Sequence, residues 1–400
     1  MGKTFYRITM VGNFGLSDKA TMSARALPLA RELARLGHKV TVILPADSAV
    51  PPTLPTSDSV RINFVGNGRA RSFPRQVAFG LQVTYAALQS RPDILYAFKP
   101  KAYAGLALLV FWFARTLGLV APTLALDTDD WEGSGGWADR DHKAAWQRLL
   151  VGQHEKWSLR HADLVTVASR ELERLATAEG AAPVYAPNAA SPSSPGWEPG
   201  DGHAVRQALG IGDAPIVLAY TRFVEFAPRR LAALVACLHR LRPAVHFLVV
   251  GKGLGGEAEE FQQLVAEDGL ANVVHQVGWR PAADLPQYFA AADVAVYPLD
   301  DTLLNRAKCL MKLVDLLLAG VPLVADAVGQ ATEYVQHDET GLLVAPGDVH
   351  AMTQAVTALL DAPERRRRLG QAARSALLRD WTWERQAQTI ASALTKCRGV

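Results

Sequence analysis

Residues Asn305–Pro346, NRAKCLMKLVDLLLAGVPLVADAVGQATEYVQHDETGLLVAP, read as helix, Gly-Val-Pro turn, strand, short helix and strand. The spacing predicts a first helix from Asn305 to Ala319, stopped at Gly320. Leu310, Leu313, Val314, Leu317 and Leu318 make most of it apolar. Asn305, Lys308, Lys312 and Asp315 nevertheless fall on one stripe, because residues three, four and seven apart stack on a helix face. Two ammonium groups and a carboxylate on a helix otherwise suited to burial should face a cleft, not packed core. Ammonium groups suit phosphates and a carboxylate suits ribose hydroxyls. The stripe therefore sketches a nucleotide-diphosphate site.

The same alternation extends on both sides of this stretch. Strands are expected at Arg7–Gly12, Lys39–Pro45, Val60–Gly66, Asp93–Phe98, Pro122–Asp127 and Asp163–Ser169. Helices are expected at Lys19–Gly37, Arg75–Ser90 and Ala102–Leu117, with a long one around Trp146–His161. Pro28 predicts a kink or a late start in the first helix. The segment Pro187–His203, PNAASPSSPGWEPGDGH, is rich in Pro, Ser and Gly and reads as a linker. After it the pattern restarts, with strands at Pro215–Tyr220, Val245–Val250, Asn272–Val277, Asp293–Pro298, Val321–Ala325 and Gly341–Val344. Short Val/Ile/Leu-rich strands between amphipathic helices mean parallel sheets covered on both faces. The fold class is thus α/β, with two Rossmann-like, doubly wound domains. They are placed at 1–188 and 205–375, joined by a linker at 189–204, and a closing helix at 376–400 is expected to pack back on the first domain.

Composition narrows the function. Hydrophobic content of 49% and charged content of 20% are globular values, and 400 residues exceed one ordinary core. The net charge of +3 argues neither for nor against nucleic acid. Cys237, Cys309 and Cys397 are odd in number and widely spaced, which fits neither a disulfide framework nor a metal pattern. A reducing cytoplasm is expected, and the N-terminus lacks a secretory layout. Ala102–Leu126 is interrupted by Arg115, Gly118 and Pro122, so it reads as a buried helix and strand, not a membrane span. Histidines in no H-x-x-x-H or H-E-x-x-H arrangement argue against a zinc site, and without a G-x-S-x-G a hydrolase elbow is not expected.

Open parallel sheets bind ligands beyond the carboxyl ends of their strands, so the motifs there carry the chemistry. Gly251–Gly256, GKGLGG, fits G-x-G-x-x-G, but no acidic residue ends the following strand, so its glycines are read as a close backbone approach to a ligand or a flexible turn. Gly12–Thr21 is either an anion-facing strand-to-helix loop or a plain turn capped by Ser17 or Asp18. Arg222, just past a strand, suits bidentate diphosphate binding, with surface arginine as the bland reading. Leu126–Trp137, LDTDDWEGSGGW, sets Asp127, Asp129, Asp130 and Glu132 beside two tryptophans. Sugar recognition, a divalent-metal site and helix capping are the three readings there. Between Arg61 and Arg115 eight basic residues face only Asp93, with aromatics interleaved. That surface would suit anionic lipid headgroups or a phosphorylated acceptor, and otherwise separates into core aromatics and surface arginines. Nucleic acid has no accompanying motif. Arg365–Arg368 reads as a solvated helix face.

In order and spacing these motifs resemble the GT-B glycosyltransferases of the large retaining class, glycosyl transferases group 1. The likeness covers nearly the whole chain: LARELARLGHKVTVILP, APNAA, VVGKGLGGE, HQVGW, LPQYFAAADVAVYPL, AGVPLVADAVGQATEYVQHDETGLLVAPGD and the closing DWTWERQAQTIASAL. Asp315 stands where the family's second E-x7-E glutamate lies, and Ala307 where the first lies. The family's lysine after Arg222 is absent, with Glu225 and Arg229 in that region.

The resemblance implies a glycosyltransferase that moves a sugar from a nucleotide-diphosphate sugar, such as a UDP or GDP sugar, to a glycan, lipid-linked or small-molecule hydroxyl. Retention of configuration, no cofactor and no bound metal are implied with it. The expected donor-binding residues are Gly15, Arg222, Glu225, Gly251, Gly253, Asn305, Lys308, Lys312 and Asp315. Lys99, Asp129, Asp130 and Glu132 are expected on the acceptor side, and Asp130, Arg222 and Lys308 in catalysis. A cytoplasmic location, with peripheral contact at the inner membrane face, completes the expectation. A sugar-nucleotide epimerase of related fold and a non-catalytic sugar-nucleotide or glycan binder remain the alternatives.

Overall fold

The computed structural model describes residues 5–13, 21–46, 60–66, 73–140, 144–190 and 200–398. Gly15, Ser17, Asp18 and most of the Gly12–Thr21 loop lie outside the described residues, as does the 191–199 part of the expected linker.

The chain divides into two compact units. One is Met1–Asn188 with Ala307–Cys309 and Trp383–Val400; the other is Ala189–Arg306 with Leu310–Thr382. The first holds β1 (Arg7–Gly12), β2 (Lys39–Pro45), β3 (Val60–Val65), β4 (Ile94–Phe98), β5 (Thr123–Thr128), β6 (Leu164–Val167) and β7 (Val184–Tyr185). They form a seven-stranded parallel sheet in the order β3-β2-β1-β4-β5-β6-β7, with Ile8 opposite both Val40 and Ile94. The second unit holds β8 (Ile216–Tyr220), β9 (His246–Val250), β10 (Val274–Gly278), β11 (Val294–Tyr297), β12 (Leu323–Asp326) and β13 (Leu342–Val344). Its parallel order is β10-β9-β8-β11-β12-β13. Both sheets are doubly wound, as the alternation predicted. The two-residue strand β7 was not foreseen.

Burial on both faces explains why the strands read as unbroken apolar runs. In β8, Ile216, Leu218 and Tyr220 join one core cluster while Val217 and Ala219 join the other. Each such side chain contributes at most roughly 1.5–3 kcal/mol. In the first unit, right-handed crossovers put helices Phe73–Gln89, Ala102–Thr116 and Ala145–His161 side by side on one face. Helix Leu27–Arg35 packs with the C-terminal helix Trp383–Arg398 on the other. Pro28 lies in the first turn of Leu27–Arg35, directly after a wide π turn at Met22–Ala26. The late start follows from a ring that cannot donate to the preceding turn. None of the described helices is long and apolar enough to cross a membrane.

Two expectations need correction. The single helix Asn305–Ala319 is two helices, Leu303–Ala307 and Met311–Ala319, so the four-residue polar stripe does not exist as one helix face. Leu310 leaves helical geometry (φ −89°, ψ 63°), and its N–H bonds the Gln330 side chain at 3.1 Å. Gly320 ends the second helix in the left-handed region (φ 72°), as the Gly-Val-Pro turn predicted. At the C-terminus, helix Pro363–Asp380 runs through residue 376, and the chain breaks only at Trp381–Thr382 before Trp383–Arg398.

Candidate functional site

In each sheet the strand order reverses at one point: between β1 and β4, and between β8 and β11. Crevices at such points are where doubly wound sheets take ligands.

In the first unit, β4 runs out into Lys99, whose backbone is left-handed (φ 70°), followed by Ala102 at φ 44°. Non-glycine residues rarely hold such angles, so the surrounding contacts must hold this loop in place. The Lys99 N–H donates to the Asp127 carbonyl at 2.9 Å, which ties the loop to the end of β5. There three of the four expected carboxylates converge. The buried Lys99 ammonium lies 2.6 Å from Asp130, 3.2 Å from Asp129 and 3.4 Å from Glu132. Lys101 pairs with Glu132 at 2.5 Å. Burial pulls the Lys99 pKa down, but the three carboxylates raise it well above its ordinary value. Asp129 is raised chiefly by burial, with Lys99 opposing, and it accepts the Thr21 hydroxyl at 2.8 Å.

Beneath this group lies a second layer that sequence reasoning missed. Arg25 donates to both oxygens of Asp127 at 2.7 Å, with both side chains fully buried. The Thr166 hydroxyl also donates to Asp127, at 2.6 Å, and exchanges a hydrogen bond with Tyr96 at 2.7 Å. The signal for Arg25 was a charge among Met22, Ala26, Leu29 and Leu33. Glu155 accepts the backbone N–H groups of Glu132 (3.1 Å) and Gly133 (2.8 Å), pinning the carboxylate loop to helix Ala145–His161. A side chain at Gly133 would crowd that Glu155 oxygen.

Burial raises the Glu155 carboxyl to about 8, with those two N–H bonds opposing and the Glu132 charge adding. A carboxyl raised on folding is no burden below its unfolded value, where both states are protonated. As pH climbs from about 4.5 to about 8 the unfolded chain ionises first, and stability falls by up to about 1.4 kcal/mol per pH unit. Melting temperatures of the wild type and Glu155→Gln should therefore shift in the variant's favour across that window. A gap that does not change with pH would exclude the effect.

In the second unit, Arg222 lies two residues past the end of β8. Its Nε is buried without a hydrogen-bond partner among the described residues. The turn after it is internally fixed: Thr221 Oγ1 accepts the Phe223 N–H at 2.8 Å, and Phe223 sits at φ 58°. Gly251, at φ 124°, passes so close that any side chain would overlap the Thr221 carbonyl oxygen. The Lys312 ammonium lies 5.4 Å from the centre of the Tyr220 ring, and buried Asp315 follows one turn later. Arg222, Gly251 and Lys312 thus gather around the end of β8.

The remaining expected residues stand differently. Asn305 is buried and donates to the carbonyls of Glu225 (2.6 Å) and Asp300 (2.8 Å), clamping two loops together. The Glu225 carboxylate is buried and accepts the Val224 N–H at 3.2 Å. Gly253 belongs to a loop whose Leu254 and Gly255 N–H groups are taken by Glu257, at 2.9 and 2.7 Å. Lys308 lies in the break between the two helices and groups with the first unit, its ammonium 5.7 Å from the Trp137 ring centre. Beside it the Ser169 hydroxyl holds the Ala307 carbonyl at 2.9 Å, and Cys309 meets the Asn188 amide. Arg230, unforeseen, bonds both oxygens of Asp326 at 2.7 and 2.6 Å and so braces the ends of β11 and β12. Among the described residues no group of three His, Cys, Asp or Glu side chains is arranged to hold a metal.

Comparison with known proteins agrees with this architecture. Residues 214–362 match the family model described as "Glycosyl transferases group 1", and residues 20–189 match "Glycosyl transferase 4-like domain". The chain is 31% identical over 274 residues to a GDP-mannose-dependent alpha-(1-6)-phosphatidylinositol monomannoside mannosyltransferase of Mycolicibacterium smegmatis, covering 64% of this chain and 68% of that one. It is 26% identical over 402 residues to a D-inositol 3-phosphate glycosyltransferase of Kribbella flavida, covering 95% and 91%. A sucrose-phosphate synthase structure from Thermosynechococcus elongatus superposes with a TM-score of 0.74 at 22% identity, covering 98% of each chain, which shows a shared fold.

Proposed function

The chain belongs to the group 1 glycosyl transferases, enzymes that use nucleotide sugars, and we propose that its second unit binds the donor diphosphate at the end of β8. The observation that carries this reading is the buried, unpartnered Nε of Arg222 at the switch point of the six-stranded sheet. A buried cationic donor without a partner is costly unless a ligand oxygen meets it. Lys312 adds a second cation on the neighbouring helix, and Asp315 offers an acceptor for ribose hydroxyls.

In the transfer, the bond from the anomeric carbon to the diphosphate oxygen breaks as the bond to the acceptor oxygen forms. Negative charge grows on the departing diphosphate, where Arg222 and Lys312 stabilise it more in the transition state than in the ground state. The acceptor proton passes to the departing phosphate oxygen on the same face, so retention needs no protein nucleophile and no cofactor. Asp130 is not required as a base, and its pairing with Lys99 at 2.6 Å suits it to orient a hydroxyl. Asp129, Asp130 and Glu132 form the polyol-binding wall of the first unit. Both curated relatives carry an inositol in their names, so the acceptor proposed is an inositol-type polyol, phosphorylated or lipid-linked.

Thermal-shift measurements with UDP, GDP, ADP and dTDP sugars test the donor half. One base should stabilise the protein preferentially, by about 2.7 kcal/mol at a hundredfold excess over Kd, and Asp315→Ala should weaken that shift. An unchanged dissociation constant in Asp315→Ala would remove the residue from the site. Product formation from that donor with inositol phosphate tests the acceptor half, and hydrolysis without transfer to any polyol would sink it.

A further inference from the structure

The carboxylate loop of the first unit carries two tryptophans, and their indole N–H groups fare differently. Trp131 is buried and donates to the Ser134 carbonyl at 2.9 Å. Trp137 Nε1 is buried too, but it has no hydrogen-bond partner among the described residues. The loop does not need that N–H for its shape, because its backbone closes it. The Trp137 backbone N–H donates to the Trp131 carbonyl at 3.0 Å, Gly136 to Gly133 at 2.9 Å and Ala138 to Glu132 at 3.1 Å. Gly136 passes so close to the Trp131 carbonyl that any side chain would overlap it. The indole is thus positioned by its own backbone, with a donor to spare. A buried donor without an acceptor is unfavourable unless a ligand oxygen meets it.

A cation stands beside this donor. The Lys308 ammonium lies 5.7 Å from the centre of the Trp137 ring. Lys308 is buried, and its neighbours fix it to the first unit: Ser169 holds the Ala307 carbonyl at 2.9 Å, and the Asn188 amide meets the Cys309 sulfur. Attraction to the ring face accounts for the place of the ammonium. It leaves the indole N–H unmet, since ammonium and indole are both donors. Lys99 and Lys101, the other cations of this wall, are committed to Asp129, Asp130 and Glu132 at 2.5 to 3.4 Å. A hydroxyl oxygen would satisfy the indole but not the ammonium. A charged oxygen satisfies both through charge-assisted hydrogen bonds, and a tetrahedral phosphoryl group offers several such oxygens.

We propose that Trp137 Nε1 and Lys308 form a phosphoryl-binding subsite in the first unit, which takes the phosphate of the acceptor. Its assignment to the acceptor rests on the polyol wall proposed above; the subsite itself does not.

The test is an NMR titration of the full chain with isotopic nitrogen in its tryptophans, where each of the nine indoles gives one signal. Trp137→Phe identifies the Trp137 signal by its loss and keeps an aromatic ring. That signal should move with inositol monophosphate, and with inorganic phosphate at higher concentration. It should stay in place with inositol at concentrations that saturate the phosphorylated form, and with UDP or GDP. Lys308→Met should weaken the inositol monophosphate titration about tenfold or more, the loss expected for a charged hydrogen-bond partner. Lys308→Arg keeps the charge and should retain most of the affinity. A signal that moves with UDP or GDP instead would give the indole to the donor. One that moves equally with inositol and its phosphate would give it to a hydroxyl. Either result overturns the proposal, as does a signal that no phosphate moves. Movement with inorganic phosphate but not with inositol monophosphate would uphold the subsite and remove inositol from the acceptor reading, so the two readings fail separately.

Discussion

Replacing Arg222 by methionine should lower kcat by roughly 10²–10³-fold, the loss expected when a fixed charge aimed at a developing anion is removed. The side chain lies in the turn just past β8, with a buried Nε that no described residue satisfies. Methionine keeps much of the side-chain volume and removes the charge, so the melting temperature should change little. Arg222→Lys should recover only part of the rate, because an ammonium cannot reproduce the planar two-point contact of a guanidinium. Steady-state rates with the donor found by thermal shift decide the matter. A kcat near wild type in Arg222→Met would reject the residue's role at the leaving group.

The second large effect concerns stability. Arg25→Met should destabilise the first unit by about 3–5 kcal/mol, the usual result of leaving one member of a buried ion pair uncompensated. Asp127 is fully buried, and beyond Arg25 its side chain meets hydroxyls: Thr166 at 2.6 Å and, more distantly, Tyr96. Burial disfavours the Arg25 charge, yet Asp127 holds its pKa above the ordinary guanidinium value, so Arg25 stays charged. Removing both charges, as Arg25→Met/Asp127→Leu, should recover a substantial part of the loss, since the apolar pair no longer strands a carboxylate. Urea unfolding measures both. A loss under about 1 kcal/mol in the single variant, below the range for buried pairs, would mean that water reaches Asp127.

The legible part of this protein was the part written in local pattern. Buried parallel strands must be short Val/Ile/Leu runs, and the helices between them must carry an apolar face, so twelve of the thirteen strands among the described residues fell where the alternation placed them. β7 escaped because two residues carry no period. Carboxylates on one short loop, as in LDTDDWEG, stay together in space whatever the tertiary arrangement, so Asp129, Asp130 and Glu132 were found together. Lys99 was expected on the same acceptor side, but its pairing with them was not.

The break at Lys308–Leu310 shows where local pattern stops. Lys308, Cys309 and Leu310 hold no glycine or proline, and the 3.6-residue period runs through them. What bends the chain there is distant: Ser169, 138 residues away, takes the Ala307 carbonyl, and Gln330, 20 residues away, takes the Leu310 N–H. Both replace hydrogen bonds that a continuous helix would have made internally. Asn305 shows the same limit: the sequence allows its amide to serve a ligand or loop carbonyls, and only packing shows that its Nδ2 donates to Glu225 and Asp300.

Periodicity and strand-end chemistry pointed to two doubly wound domains and a nucleotide-diphosphate site, and the resemblance of the motifs added the sugar-transferring enzyme. They rest on interactions a few residues apart, which the order of amino acids states directly. The pairing of Arg25 with Asp127, 102 residues on, and of Glu155 with the carboxylate loop, 22 and 23 residues back, came from the folded chain alone. A charge buried in a sheet must find its partner in space, and no spacing along the chain records which partner that is.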